Sequence, residues 1–211
     1  MTVEPGRALR ADAVRNHERI VVAAGQAFED VGPTVSLDEV ARRAGVGVAT
    51  VYRRFRTRDQ LVRAVFEHVF STEIEPATRI ESEDPWRDLV TTLEATVAAV
   101  AAHRVVFTSA REVGAIDVDT VDRYLRSMDR ILRRVRDAGF VRPELEPRDL
   151  AAVVVMAIAT VHQDDPGGAD RHRYLSLIID GLRPSPAPLP APAHPAGCAC
   201  PSLCHLDLAP G

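Results

Sequence analysis

The stretch from Ser36 to Phe55, SLDEVARRAGVGVATVYRRF, contains two short helix patterns separated by a glycine-bearing turn. Ser36 stands three residues before Glu39, which is the spacing of a capping box at the start of a helix. Gly45 can adopt the left-handed conformation that ends this helix, and Gly47 can serve as the N-cap of the next one. The stretch therefore predicts a helix–turn–helix, in which two helices are joined by a tight turn.

Helical angles sort the side chains of the second helix, predicted over 48–54, by face. Val51 and Phe55 fall about 40° apart and face the core. Ala49 and Arg53 then point away from the core. A small residue beside an arginine lets a helix approach the major groove of DNA closely.

The exposed face of this helix supplies the candidate DNA contacts. Arg53 can offer its guanidinium to the O6 and N7 atoms of guanine, while Val48 and Ala49 can touch a thymine methyl group. Four further residues are placed for backbone phosphates, which fix the register without reading sequence: Thr50, Tyr52, Arg54 and Arg58. Three alternatives stay open on the sequence alone. Tyr52 could be a core aromatic residue, Arg53 could bind a phosphate instead of a base, and the arginines could form a solvated face.

Helical periodicity continues along the chain, and strand patterns are nearly absent. Apolar residues in one stripe predict an amphipathic helix over 13–30, before the turn motif. Thr57 is expected to cap the helix that follows the motif. Helices are also predicted over 37–44, 58–70, 85–103, 104–113, 118–138, 147–163 and 169–182. The fold class is therefore all-α.

Charge is distributed unevenly along the 211 residues. The formal net charge is −4, but residues 1–66 contain 11 Arg and 8 acidic residues, whereas the remainder contains 15 Arg and 22 acidic residues. A basic front attached to an acidic body is typical of a protein whose first part meets polyanions.

The N-terminal and apolar segments give an expectation about location. Residues Met1 to Pro5 lack the apolar core of a signal peptide. The charge-free stretch Leu150–Val161 is about half of a bilayer span. All three cysteines lie in the last 14 residues, so no disulfide framework holds the body together. We expect a cytoplasmic protein that has no membrane contact.

One set of residues between Ile20 and Phe66 carries a family resemblance. Its members are Ala24, Phe28, Val40 to Val46, Thr50 to Tyr52, Phe55, Thr57, Arg58 and Leu61. With these residues in register, the stretch resembles the N-terminal domain of the tetracycline-repressor (TetR) family. The second half is similar, more loosely, to an actinobacterial-type branch of that family at 138–142, 147–150 and 180–183.

The resemblance implies a domain organisation. In the family, the first three helices bind DNA, and a larger, divergent helical domain binds a ligand and dimerises. The implied helix-turn-helix DNA-binding domain covers 1–60 and is linked by the helix 58–70 to a ligand-binding and dimerisation domain over 61–183. The remainder, 184–211, holds eight of the 15 prolines and is expected to be a disordered tail.

The resemblance also implies roles for single residues. It makes Val48 to Arg54 the recognition helix, assigns phosphate contacts to Tyr52 and Arg58, and places Ser36 beside the DNA backbone. Gly47 stands where the family usually has serine, which gives a poorer N-cap. Arg58 stands where the family usually has lysine, which keeps the charge but changes a point contact into a fork.

The second domain supplies expectations for dimer and ligand. The helix over 147–163 is apolar almost all round, so one of its faces packs internally and a second face needs another cover. Together with the helix over 169–182, it is expected to form the interface of a homodimer. The alternative is that this apolar helix is buried entirely within one subunit. Candidate pocket residues for a small-molecule effector are Trp86, Leu93, Val97, His103, Phe107, Arg111, Tyr124, Met128 and His162.

The function expected is that of a ligand-responsive transcription regulator, a repressor that binds double-stranded operator DNA as a homodimer. No constellation of nucleophile, base and oxyanion donors is found, so neither an enzyme nor a cofactor is expected. The alternative is a metal- or redox-sensing regulator. Its soft ligands would come from the tail: His194, Cys198, Cys200, Cys204 and His205.

Overall fold

The computed structural model describes residues 5–160 and 167–191, and their side chains from residue 12 onwards. Within these residues the chain is helical and contains no strand, which confirms the all-α fold class. The helices are α1 (Pro5–Val31), α2 (Leu37–Ala44), α3 (Val48–Arg54), α4 (Arg58–Val69), α5 (Glu75–Ala77), α6 (Pro85–Ala102), α7 (Arg104–Glu112), α8 (Val118–Asp137), α9 (Pro147–Ile158) and α10 (Ala169–Asp180).

Most helix limits match the sequence prediction, and those of α2 and α3 match it at both ends. Three features differ. Helix α1 begins at Pro5, whereas the apolar stripe predicted a helix over 13–30. A π-helical segment, Phe70–Ile74, and the short α5 follow α4 without having been predicted. Helix α9 ends at Ile158, with a turn at 159–160, whereas the apolar pattern that predicted a helix to 163 carries no stop signal there.

The chain divides into two compact units. Unit 1 contains the residues up to Val69 together with His103–Ala115, and unit 2 contains Phe70–Ala102 together with the residues from Ile116 onwards. In unit 1, α1 packs against α2, α4 and α7. The fully buried side chains at the centre of unit 1 are Ala24, Ala27, Phe28, Val40, Ala41, Val51, Val62, Val65, Val106 and Ala110.

Helix α7 belongs to unit 1 because side chains of α1 and α4 hold both of its ends. The Glu29 carboxylate accepts hydrogen bonds from the backbone N–H groups of Val105 and Val106, at 3.2 and 3.1 Å. At the other end, Arg63 donates to the Gly114 carbonyl at 2.8 Å and to that of Val113. Opposite charges at the two ends complement the helix dipole.

Aromatic packing adds to these caps, since the rings of Phe66 and Phe107 meet edge to face with centroids 5.4 Å apart. The compact units thus differ from the predicted domain limits in two places. The first unit continues past residue 60 to Val69. It also includes His103–Ala115, which lie within the predicted second domain, 61–183.

Unit 2 encloses one apolar core, built mainly by α6, α8, α9 and α10. Its fully buried members include Leu89, Leu93, Val97, Met128, Leu132, Val135, Leu150 and Ala157. After α10, residues 184–191 are exposed and have no regular secondary structure. Arg142 holds the start of this segment by donating to the Gly181 and Ala187 carbonyls at 3.1 and 2.8 Å.

A helix that crosses a membrane must have about 20 predominantly apolar residues. No single helix within 5–160 and 167–191 is both long and apolar enough to cross a membrane. Only the bent pair of α6 and α7 passes that test, and only when the two helices are counted together.

One carboxylate lies inside unit 2. Asp88 is 2% exposed and accepts hydrogen bonds from the Ser82 backbone N–H (2.9 Å), the Ser82 hydroxyl (2.6 Å) and Arg134 Nη1 (2.8 Å). Burial alone would raise the pKa of Asp88, but the hydrogen bonds from Ser82 and Arg134 outweigh it and hold the pKa below its ordinary 3.8. The Asp88 carboxylate therefore stabilises the fold when it is ionised.

We predict that Asp88→Asn lowers the free energy of unfolding of unit 2 by about 1–3 kcal/mol at neutral pH, because the Arg134 guanidinium loses its charged acceptor. Since the pKa is lower in the folded state, this contribution is present above pH 3.8 and is lost as the pH falls through the folded-state value. Urea unfolding followed by Trp86, the single tryptophan, measures both effects.

A matched control is Asp180→Asn, which removes an ion pair with Arg183 on a carboxylate that is 77% exposed. It should change the unfolding midpoint little, because exposed pairs contribute little. An equal shift for both variants, or an Asp88→Asn effect that does not shrink in acid, would contradict the assignment.

Candidate nucleic-acid interface

The turn between α2 and α3 has the geometry that the sequence predicts. Ser36 accepts a hydrogen bond from the Glu39 backbone N–H at 3.2 Å and so caps α2. Gly45 takes the left-handed conformation, with φ 61° and ψ 38°, and the Val46 N–H returns to the Ala41 carbonyl at 3.1 Å. Gly47 begins α3 in an extended conformation and without a side-chain cap, as expected.

The capping box at α2 is only half formed. The Glu39 carboxylate binds Arg42 and Arg43 at 2.7–2.8 Å instead of reaching back to Ser36. These hydrogen bonds lower the pKa of Glu39 to about 2. Arg43 also binds Asp30 of α1 at 2.6 Å, so it ties α2 to α1.

Arg19 of α1 closes over the turn, a contact that the sequence analysis missed. Its Nη2 atom donates to the Ala44 carbonyl at 2.7 Å and to the Gly45 carbonyl at 3.2 Å. A Cβ atom on Gly45 would lie 2.9 Å from this nitrogen, so the absence of a side chain permits the close approach.

The faces of α3 follow the predicted helical angles. Val51 is fully buried and Phe55 is 4% exposed, whereas Ala49 and Arg53 are exposed. Tyr52 is 50% exposed, so it is a surface residue and not a core aromatic. The remaining candidates on the helix and at its caps are exposed or half-buried: Ser36, Val48 and Arg54 are exposed, and Thr50 and Arg58 are half-buried.

The three arginines have different surroundings. Arg53 lies near Thr50, with 3.4 Å between its Nη2 atom and the Thr50 hydroxyl oxygen. Arg54 donates from Nε to Nδ1 of His17 at 3.1 Å. Arg58 lies with its guanidinium carbon 5.7 Å from the centre of the Phe28 ring, so it is partly engaged in packing. Within the described residues, Arg53 and Arg54 form no ion pair with a carboxylate.

His17, on α1, is a second residue that the sequence analysis did not single out. Its ring stacks on Phe55 with centroids 5.4 Å apart and an interplanar angle of 26°. Burial lowers the pKa of His17, and the positive charges of Arg54 and His68 lower it further. Its sequence neighbours give no sign of these contacts, because the three partners lie at least 37 positions away in the chain.

Comparison with known proteins agrees with this geometry. The family model described as "Bacterial regulatory proteins, tetR family" matches residues 20–65, and that of the "Transcriptional regulator SbtR-like, C-terminal domain" matches residues 84–184. A crystal structure of a TetR transcription regulatory protein from Mycobacterium vanbaalenii is 30% identical, covers 83% of this chain and 99% of that one, and has a TM-score of 0.65. The chain belongs to the TetR family.

Two further transcription regulators are similar to this chain. A TetR transcriptional regulator from Streptomyces coelicolor is 25% identical, covers 80% of this chain and 99% of that one, and has a TM-score of 0.61. An HTH-type transcriptional regulator of Staphylococcus aureus is 29% identical over 76 residues, which are 36% of this chain and 41% of that relative. The TetR family consists of DNA-binding transcription regulators and not of enzymes, as the sequence predicted.

The residues predicted to line an effector pocket lie in both units of the protein. Leu93, Val97 and Met128 are fully buried in the core of unit 2, against which Trp86 and Tyr124 pack. Burial raises the pKa of Tyr124 to about 12. His103, Phe107 and Arg111 belong to unit 1, with α7, so the sequence analysis had grouped residues of two units.

Other candidates lie outside the described residues. They are His162 of the pocket and the tail residues His194, Cys198, Cys200, Cys204 and His205. Within the described part of the chain, no group of three or more His, Cys, Asp or Glu side chains could hold a metal ion.

We predict that Arg53 reads a guanine. Arg53→Ala should then cost about 1–3 kcal/mol on a duplex that the wild-type protein selects from a randomised library, and much less on a random duplex. Repeating the selection with the variant provides the measurement. A base reader leaves relaxed preference at one position of each half-site, whereas an unchanged sequence preference with uniformly lower affinity would make Arg53 a phosphate contact.

Proposed function

We propose that this protein is a homodimeric repressor that binds operator DNA and is released from it by a small-molecule effector. The observation that carries the proposal is the surface of α3. Its buried side holds Val51, while the opposite side presents Ala49 and Arg53 to solvent. A seven-residue helix with such a face fits the major groove.

The charges around this face support DNA as the partner. Arg53 and Arg54 have no carboxylate partner within the described residues, whereas Arg42 and Arg43 are paired with the carboxylates of Glu39 and Asp30. Positive charge therefore remains available on α3. Such charge attracts phosphates in a salt-dependent way.

A second copy of the chain is the proposed occupant of an apolar surface on unit 2. Met156 on α9 is 49% exposed, and Tyr174 and Leu177 on α10 are 38% and 64% exposed. Val154, by contrast, is 6% exposed and packs in the core of its own unit. This exposed face lies on the two helices from which the sequence predicts a dimer interface, which supports the proposal.

The effector response is proposed to pass through α7. This helix follows α6 of unit 2 directly in the chain, yet Glu29 and Arg63 hold its two ends in unit 1. A ligand that shifts α6 would thus act on the unit that carries α3. Successive major grooves on one face of DNA are about 34–36 Å apart. If the distance between the two α3 helices of a dimer departs from this spacing, both helices can no longer bind the same duplex at once.

We predict that Leu177→Glu produces a monomer, because a dimer would bury an unpaired carboxylate. Sedimentation velocity measures the mass, and fluorescence anisotropy measures the affinity for a duplex selected by the wild-type protein. The monomer should bind this duplex at least about tenfold more weakly, since only one half-site is engaged at a time.

The matched control is Val118→Glu on α8, a residue that is 56% exposed and outside the proposed interface. It should remain a dimer with wild-type affinity. A Leu177→Glu protein that stays dimeric would place the interface elsewhere. A wild-type protein that selects no sequence from the library would contradict the proposed function itself.

A further inference from the structure

An open cleft of about 360 Å³ lies between α1 and α3 of unit 1. Asn16 and His17 line it from α1, and Thr50, Arg53 and Arg54 line it from α3. All five side chains carry hydrogen-bond donors, and two of them are cationic. These donors can bind a hydrogen-bond acceptor, and the position of the cleft beside α3 puts it at the edge of the proposed DNA-binding face.

Hydrogen bonding fixes the protonation of one of these donors. Nδ1 of His17 accepts a hydrogen bond from Arg54 Nε at 3.1 Å. A neutral imidazole that accepts at Nδ1 carries its proton on Nε2. The Nε2–H group makes no hydrogen bond within the described part of the chain, and the stack on Phe55 fixes the plane of the ring.

One carboxylate also lines the cleft, that of Asp12. It forms an ion pair with Arg15 on the same helix, so part of its charge is compensated. The cations Arg53 and Arg54 outnumber it among the lining residues. An anion is accordingly favoured over a cation in this cleft.

We propose that the cleft holds a backbone phosphate of the operator, bound by His17 through Nε2–H and by the guanidinium of Arg54. This inference rests on the proposed function, because the phosphate belongs to the DNA on which α3 is placed. It adds α1 to the DNA-contacting elements and gives His17 a role that no neighbouring residue in the sequence indicates.

The proposed contact makes operator binding depend on pH. In the free protein, burial, Arg54 and His68 lower the pKa of His17. A phosphate beside the ring favours the imidazolium and raises this pKa in the complex. Protonation at Nδ1 releases the hydrogen bond from Arg54 Nε, so both cations are then free to face the phosphate. Between the two values DNA binding takes up a proton, so the affinity increases as the pH falls. The charged and titratable groups that face His17 are Arg54 and Arg53 from α3, His68 from α4 and Asp12 on α1.

Two substitutions distinguish the acceptor role of Nδ1 of His17 from the donor role of its Nε2–H group. In His17→Asn, the amide oxygen can replace Nδ1 as the acceptor for Arg54, but the Nε2 donor is lost. In His17→Gln, the amide nitrogen can replace the Nε2 donor, but the acceptor for Arg54 is lost. The probe is a labelled duplex that the wild-type full-length chain has selected from a randomised library, with a shuffled duplex beside it.

At about pH 8, His17→Asn should lose about tenfold in affinity on the selected duplex, and His17→Gln about threefold. Both variants should lose the wild-type increase in affinity between about pH 8 and about pH 6. His68→Asn is the control variant and should keep that increase. Circular dichroism confirms that all three variants are folded.

The opposite order, with His17→Gln weaker than His17→Asn, would show that His17 acts only by holding Arg54, and it would overturn the proposal. Wild-type affinity in both variants, or a pH dependence that disappears in His68→Asn instead, would overturn it as well. If the wild-type protein selects no duplex, the proposed function itself is refuted. This outcome can be distinguished from the others because it does not depend on His17.

A phosphate-by-phosphate measurement completes the test. Single methylphosphonate substitutions along the selected duplex remove one backbone charge at a time. One such position should weaken wild-type binding but have a much smaller effect on His17→Asn, because the two changes remove the same contact. If the losses in affinity from the methylphosphonate and from His17→Asn add at every position, the proposed phosphate contact of His17 is contradicted.

Discussion

The orientation of α3 depends on the left-handed turn at Gly45. With seven residues and no side-chain N-cap, α3 is too short to be stable alone, so its position comes from the contacts around it. Val51 and Phe55 anchor its inner side in the core, while Arg19 holds the carbonyls of the turn. A side chain at position 45 would be strained at φ 61° and would meet Arg19. The exposed face follows from these restraints.

The unit that carries α3 is not continuous in sequence. Helix α7 returns to it, where Glu29 and Arg63 cap its two ends and Phe66 packs on Phe107. These contacts bring together residues that are 41 to 77 positions apart. Unit 2 leads directly into this helix through α6, and this covalent connection is the physical basis of the proposed effector response.

Local signals in the sequence predicted a large part of this structure. Ser36, Gly45 and Gly47 gave the limits of α2 and α3, because caps and turns depend on neighbouring residues. The contacts of Arg19 and His17 could not be predicted in this way, since their partners lie at least 25 positions away. The same applies to α7, whose own sequence shows an amphipathic helix but not the unit against which it packs.

We propose that two copies of the chain place their α3 helices in successive major grooves on one face of a duplex. Methylation footprinting of the wild-type protein on a duplex that it has selected tests this arrangement. We expect protection of guanine N7 atoms from methylation at two sites whose centres are about 10 base pairs apart, or a multiple of that distance. Protection confined to the minor groove, or a single site per bound protein, would contradict it.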